Sequence, residues 1–209
     1  MTAKPQLVLD LAGVLVSNFS STFWLQLSKG TEISFQGIRE QFDEIRKDLW
    51  TGKIKEDDFW EWMSLRIKQI NKERARALLI QSLEPLPGLN YLAEWSEIAD
   101  IHILSNHCKE WLESILERVE PYTKSITISN QVGLRKPDIQ IYQHVGKQFE
   151  AGQTVVYIDD QEKNLKPVIE LGWKTLLADK EHKWIEQVEL MIGMRRRTLD
   201  LKRDSINSR

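Results

Sequence analysis

The 209-residue sequence has a single cysteine, Cys108. One thiol excludes an internal disulfide and shows no metal-ligand spacing, so a reducing, cytoplasmic compartment is expected. Long apolar runs are also missing. None approaches the roughly 20 residues needed to span a bilayer. The start, Met1-Thr2-Ala3-Lys4-Pro5, lacks the apolar stretch of a signal peptide, so no membrane partner is expected. Charge of one sign is not in excess: 29 Lys and Arg stand against 31 Asp and Glu, a formal net charge of −2. Nothing global therefore attracts nucleic acid, and an anionic ligand would need local charge. There are no internal repeats and no low-complexity tract. What is present is ordinary globular composition, 41% hydrophobic and 29% charged, at a length that suits one large domain or a domain carrying an insert. Eight tryptophans are many for this length, and most are expected in core positions.

Gln6–Leu9 is a short apolar run ending at Asp10, with the turn former Gly13 just after it. It reads as a buried strand that runs into a loop. Ile101–Leu104, Ser125–Ser129, Thr154–Ile158 and Lys174–Ala178 repeat the type, each as a strand buried on both faces. Helical patterns lie between them. Cys108–Glu117 carries Trp111, Leu112, Ile115 and Leu116 on one face. Asp138–Phe149 follows Pro137, and Gln161–Leu171 carries Leu165, Val168 and Ile169. Alternating strands and helices predict an α/β fold: a Rossmann-like, three-layer core with a parallel sheet.

Residues 19–85 break the alternation. They are dense in Glu, Lys, Arg, Gln, Leu and Trp, contain no convincing strand, and read as amphipathic helices. The expected organisation is a core of 1–18 and 86–190, with a helical cap of 19–85 inserted after the first strand. Hinges are expected near Val16–Ser20 and Glu84–Gly88. Residues 191–209, with Arg195-Arg196-Arg197, read as a basic helix end or solvated tail.

In open α/β sheets, sites lie beyond the carboxyl ends of the strands. Those ends deliver Asp10, then Ser105 and Asn106, then Asp159 and Asp160, with Asn164 one helical turn on; the loop before Asp138 delivers Lys136. Three carboxylates, one cation, a hydroxyl and two amides suit Mg²⁺ and phosphate together. Mg²⁺ is a hard cation that takes carboxylate oxygens and substrate phosphate. Metal and Lys136 would neutralise the charge that otherwise repels a carboxylate from a phosphate dianion. A carboxylate nucleophile splits one hard hydrolysis into two easier steps.

Four segments in order, Asp10-Leu11-Ala12-Gly13-Val14, Leu104-Ser105-Asn106, Lys136-Pro137 and Ile158-Asp159-Asp160, resemble the motifs of the haloacid-dehalogenase-like (HAD) superfamily. Gln131–Tyr142 and Ile158–Gly172 look most like the branch holding the N-terminal phosphatase domain of soluble epoxide hydrolase and bacterial sugar-phosphate phosphatases. The resemblance spans about residues 5–180. It implies a Mg²⁺-dependent phosphatase of small phosphate esters, with a small phosphorylated metabolite as partner and a monomeric or homodimeric state. It also implies Asp10 as nucleophile and metal ligand, Asp160 and the backbone carbonyl of Ala12 as further ligands, and Ser105, Asn106 and Lys136 on the phosphoryl group. Asp159 would hold Lys136 or a metal-bound water, and Asn164 would brace the loop.

Position 12 departs from that pattern. The family's phosphatases carry there a second aspartate that protonates the leaving group and then activates water. Ala12 can do neither, and loss of a positioned acid–base group costs about 10²- to 10⁴-fold in rate. Three readings stay open: an engineered change that traps an intermediate, a weak or inactive relative that binds phosphate compounds, or different chemistry. Phosphonate cleavage would need a cap lysine, for which Lys53 and Lys55 qualify by location alone. Dehalogenation works without metal, and the Asp159-Asp160 pair argues against it. His107 and Cys108 are adjacent, so they do not face each other as a nucleophilic pair on a helix. Trp24 or Trp50 is a candidate for lining a substrate channel. Phe59, Trp60 and Trp62 are too many aromatics for one helix face, so at least one should meet the core or a second subunit.

Overall fold

The computed structural model describes residues 3–18, 21–29, 33–67 and 71–193. The basic segment Arg195–Arg209, the residues at positions 19 and 20 next to the first expected hinge, and three-residue stretches after positions 29 and 67 lie outside the described residues. Five strands form one all-parallel sheet: β1 (Gln6–Leu9), β2 (Asp100–Ser105), β3 (Thr123–Ile128), β4 (Val155–Asp159) and β5 (Lys174–Leu177), in the order β3-β2-β1-β4-β5. The reversal of strand order beside β1 places Asp10 at the crevice where such sheets bind ligands.

Strand periodicity builds the three layers. Leu7, Leu9, Ile103 and Ile158 point to one face, against α5 (Leu92–Ile98), α6 (Glu113–Val119) and α10 (Trp184–Met191). Val8, Leu104 and Tyr157 point to the other, against α8 (Ile139–Gly146) and α9 (Glu162–Ile169). Every residue of β1 and β4 is buried, so both read as apolar runs. The expectation of five strands buried on both faces holds only for the central ones. The edge strands β3 and β5 are half-exposed, because among the described residues no further strand covers the outer side of either one. Ile169, expected on a buried face, is exposed.

The described part of residues 19–85, which follows β1, holds four helices: α1 (Ser21–Ser28), α2 (Phe35–Trp50), α3 (Glu56–Arg66) and α4 (Lys72–Gln81). The segment expected as a cap is thus helical where it is described, and no strand occurs among its described residues. The segments entering and leaving it run side by side. Ser17 N–H donates to the Glu84 carbonyl at 2.8 Å and Leu86 N–H to that of Leu15 at 2.9 Å.

The expected helix Cys108–Glu117 is instead split. A 3-10 turn, Lys109–Trp111, is followed by α6 from Glu113. The break serves two surfaces that one helical face cannot reach. Trp111 joins the cap's apolar cluster, whereas Leu112, Ile115 and Leu116 pack on the sheet. Trp111 meets Phe59 at 5.4 Å and Trp60 at 5.9 Å between ring centroids, so the second surface required by the Phe59–Trp62 cluster is the core. Glu56 ties the two parts: its Oε1 accepts from Trp60 Nε1 at 3.0 Å, Trp111 Nε1 at 2.7 Å and Arg76 Nε. Gly52, at φ +69°, lies so close that a Cβ there would sit 2.3 Å from the carbonyl oxygen of Asn130 in α7 (Ser129–Val132).

Glu56→Ala removes one acceptor from three donors at once. An unpaired buried donor costs about 1–3 kcal/mol, so a loss of about 2–4 kcal/mol is expected in urea unfolding. Glu56→Gln, which retains an acceptor oxygen, should lose less.

Candidate active site

Asp10 follows β1 directly, and its N–H donates to the Ile158 carbonyl of β4 at 3.0 Å. The chain then turns tightly: the N–H groups of Val14, Leu15 and Val16 all converge on the Leu11 carbonyl. Gly13 sits at φ +86°, and a Cβ there would be 2.4 Å from the Asp160 carboxyl carbon. Only glycine admits both that conformation and that approach.

The carboxyl of Asp10 is 4% exposed and lies 2.8 Å from Lys136 Nζ; its other oxygen accepts from Leu11 N–H at 2.7 Å. Lys136 Nζ also reaches Asp159 at 2.7 Å. Asp159 is saturated. It accepts from Lys136, the Tyr157 hydroxyl, Gln161 N–H and both ways from Asn164 Nδ2. It therefore meets Lys136 directly, and the Asn164 amide donates to it. Asp160 is half-buried and accepts from Asn18 Nδ2 at 2.8 Å.

Electrostatics follow from burial and crowding. Burial, then repulsion from Asp159 and Asp160, pushes Asp10 up to about 7 despite the attraction of Lys136. Burial pulls Lys136 down, but Asp10 and Asp159 outweigh it and the ammonium is held above its usual range. Burial also opposes ionisation of Asp159, yet Lys136, Tyr157 and Asn164 bring its pKa below the usual carboxylate value. Carboxylate oxygens of Asp10, Asp159 and Asp160 lie within 4.8 Å of one another. Three carboxylates crowd together and Lys136 pairs with only two of them, so the donor set fits a hard divalent cation.

The other expected residues divide. Asn106 lines the cavity over Asp10, but its amide is engaged at both ends: Nδ2 donates to the Lys136 carbonyl at 2.9 Å, and Lys136 N–H donates to Oδ1 at 2.8 Å. Ser105 is fully buried and not among the cavity-lining residues; its Oγ finds no partner among the described residues. Ala12 lines the cavity. Trp50 lines it too and stacks on His107 at 5.5 Å, whereas Trp24 packs on Phe42 within the cap. Lys53 is exposed and paired with Asp48 at 3.4 Å, and Lys55 is exposed. Neither lines the cavity. Cys108 is buried, which drives its thiol well above the ordinary range, and burial takes His107 down to about 4.

No protein-family model matches the sequence, and no curated protein matches it. Solved structures do. A HAD family enzyme from Bacteroides thetaiotaomicron, wild type and in complex with magnesium and inorganic phosphate, superposes with a TM-score of 0.74 at 25% identity, over 88% of this chain and 99% of that one. The chain has the fold of the haloacid-dehalogenase-like enzymes. A HAD-like family hydrolase from Porphyromonas gingivalis gives 0.74 at 20% identity, over 92% and 99%. The HAD-hydrolase YfnB from Bacillus subtilis, bound to magnesium, gives 0.64 at 15%, over 92% and 100%.

The four segments that resemble the HAD motifs meet at one end of the sheet. The residues that sequence reasoning missed are Asn18, Tyr157 and Gln161. Asn18 and Gln161 carry no pattern of their own, and Tyr157 looks like one more apolar strand residue. Among the described residues no helix is long and apolar enough to cross a membrane.

Lys136→Met leaves Asp10 and Asp159 facing each other in a buried site. Removing one partner of a buried pair costs about 3–5 kcal/mol. With chelator present, the deficit should be largest near pH 8. It should shrink toward pH 5, because the bereft carboxylates then bind protons in the folded protein that the unfolded chain has released. Urea unfolding at the two pH values measures it.

Proposed function

We propose that the chain is a HAD-like hydrolase acting on small phosphate esters through an aspartyl-phosphate on Asp10. The buried Asp10–Lys136–Asp159 constellation, facing a cavity of about 170 Å³, carries this reading. Mg²⁺ is the proposed cofactor, and Asp10, Asp160 and the Ala12 carbonyl are the proposed ligands. When bound, the cation would supply positive charge opposite the phosphoryl oxygens and lower the cost of ionising Asp10.

The chain's own groups account for the rest. Leu11 N–H orients one oxygen of Asp10, and Lys136 meets the other. The carboxylate attacks phosphorus, a P–O bond to Asp10 forms, and the ester P–O bond breaks with its electron pair leaving on the alcohol oxygen. Lys136 stabilises the charge on the transferring group. Water then cleaves the acyl-phosphate and restores Asp10. Asp159 positions Lys136, and Trp50 over His107 screens that side of the cavity from solvent.

No side chain at position 12 protonates the leaving oxygen or activates that water. Turnover is therefore slow, most of all with alcohols that leave poorly. A second reading, a phosphate-ligand binding protein without useful turnover, is favoured by the same alanine. An aspartate-to-alanine variant of the Bacteroides enzyme, 24% identical to this chain, is itself a complex with magnesium and inorganic phosphate; one such change there is compatible with both ligands being bound.

An activated aryl phosphate, assayed with and without Mg²⁺, tests the proposal. Ala12→Asp is expected to raise Mg²⁺-dependent turnover by about 10²- to 10⁴-fold. The parent should show phosphorylated Asp10 by mass analysis, and Asp10→Asn neither label nor turnover. No label and no turnover in parent and Ala12→Asp alike would sink the phosphatase reading. Separately, Mg²⁺ should raise the Tm of the parent but not that of Asp160→Asn.

A further inference from the structure

The cavity over Asp10 has cations beyond those the phosphoryl group occupies. Lys136 is committed to Asp10 and Asp159. Arg46, Arg135 and Lys163 also line the cavity, from the cap helix α2, the loop before Pro137 and helix α9. Asp10 is the sole acidic residue among the described lining residues. Arg46 does not face the cavity by accident of a flexible side chain alone. Phe42, Arg46 and Trp50 are spaced by four residues along α2, so they share one helical face, and all three line the cavity. The acidic partners of these cations are weakly placed: Asp43 sits 3.1 Å from Arg46 with both side chains about half-exposed, and Asp138 is 3.6 Å from Arg135. Arg135 Nε is buried and makes no hydrogen bond among the described residues, and Lys163 has no ion pair there.

At about 170 Å³, the space resembles the roughly 150 Å³ cavities that hold one benzene-sized molecule. A phosphoryl group and a few further atoms fill it, so a nucleotide does not fit as a whole. We propose that the substrate carries a second anionic group, a carboxylate or a second phosphate, on the part that departs from phosphorus, and that Arg46, with Arg135 and Lys163, receives it. Planar guanidinium donors suit either anion. The proposal rests on the reading of Asp10 and Lys136 as the phosphoryl pole, and it names the class of small phosphate ester: one with anionic groups at both ends.

Calorimetry on the full chain with Mg²⁺ tests it without requiring turnover. The probes are inorganic phosphate, ethylene glycol monophosphate, its carboxylate counterpart phosphoglycolate, and ethylene glycol bisphosphate. The two doubly anionic esters, or one of them, should bind about 10-fold tighter than the hydroxyl-ended ester, the gain expected of one charge-assisted hydrogen bond. Which one gains tells carboxylate from phosphate. Arg46→Gln should abolish the gain and Lys163→Gln reduce it, while both variants bind inorganic phosphate as the parent does. Equal affinity for charged and uncharged ends, with inorganic phosphate still bound, would overturn this inference and leave the phosphoryl site standing. No binding of inorganic phosphate to the parent would overturn the phosphoryl site itself, and this inference with it.

Discussion

Lys136 is an ammonium group with 1% of its side chain exposed, and a buried charge of that kind survives only if its partners are fixed. The local structure supplies that fixing in several directions. Asp10 and Asp159 meet Nζ from the ends of two adjacent strands. Asn106 clasps the lysine's backbone at both its amide and its carbonyl. Asp159 cannot turn away, because Tyr157, Asn164 and the Gln161 N–H occupy its oxygens. One ion triad therefore locks together the loops after β1, β2 and β4 and the loop before α8. The same triad leaves Asp10 in excess negative charge beside Asp160, which is the electrostatic basis for a cation at this place.

The cap is seated by a second set of constraints that reach the same cavity. Glu56 satisfies an indole of the cap and an indole of the core with one oxygen. Trp111 inserts among the cap's aromatic rings, and Gly52 allows the cap loop to touch the Asn130 backbone. These contacts bring Trp50 over His107 and set the Phe42–Arg46–Trp50 face of α2 toward the cavity over Asp10 and Lys136. Packing energy and ligand geometry are thus linked: what holds the cap down also decides which side chains a ligand meets.

Much of this was legible in the residues. The central strands were readable because burial on both faces leaves only apolar residues in them, and β1 was expected over the same residues, Gln6–Leu9, that form it. The positions of Asp10, Asn106, Lys136, Asp159 and Asp160 at strand ends or in the adjoining loop followed from the α/β alternation. The split after Cys108 was not legible, since Trp111, Leu112, Ile115 and Leu116 fit one helical stripe equally well. Only the presence of two separate surfaces, sheet and cap, breaks that stripe. The half-exposure of β3 and β5 was likewise invisible, because strand order is not written in any single strand.

The sequence by itself determined the layer architecture, the helical character of the segment after the first strand and the placing of Asp10, Asn106, Lys136, Asp159 and Asp160 at strand ends or in an adjoining loop, because these depend on periodicity and on spacing along the chain. It also determined that position 12 is alanine, whose side chain neither donates nor accepts a proton. The tertiary structure decided what each polar side chain is free to do. Asn106 is engaged with backbone, Ser105 is sealed in the core, Asn18 reaches Asp160 across 142 positions of sequence, and Arg46 faces the site from the cap. Those outcomes depend on which atoms come within hydrogen-bond reach after the chain has closed on itself, and distance in space is not a property of distance along the chain.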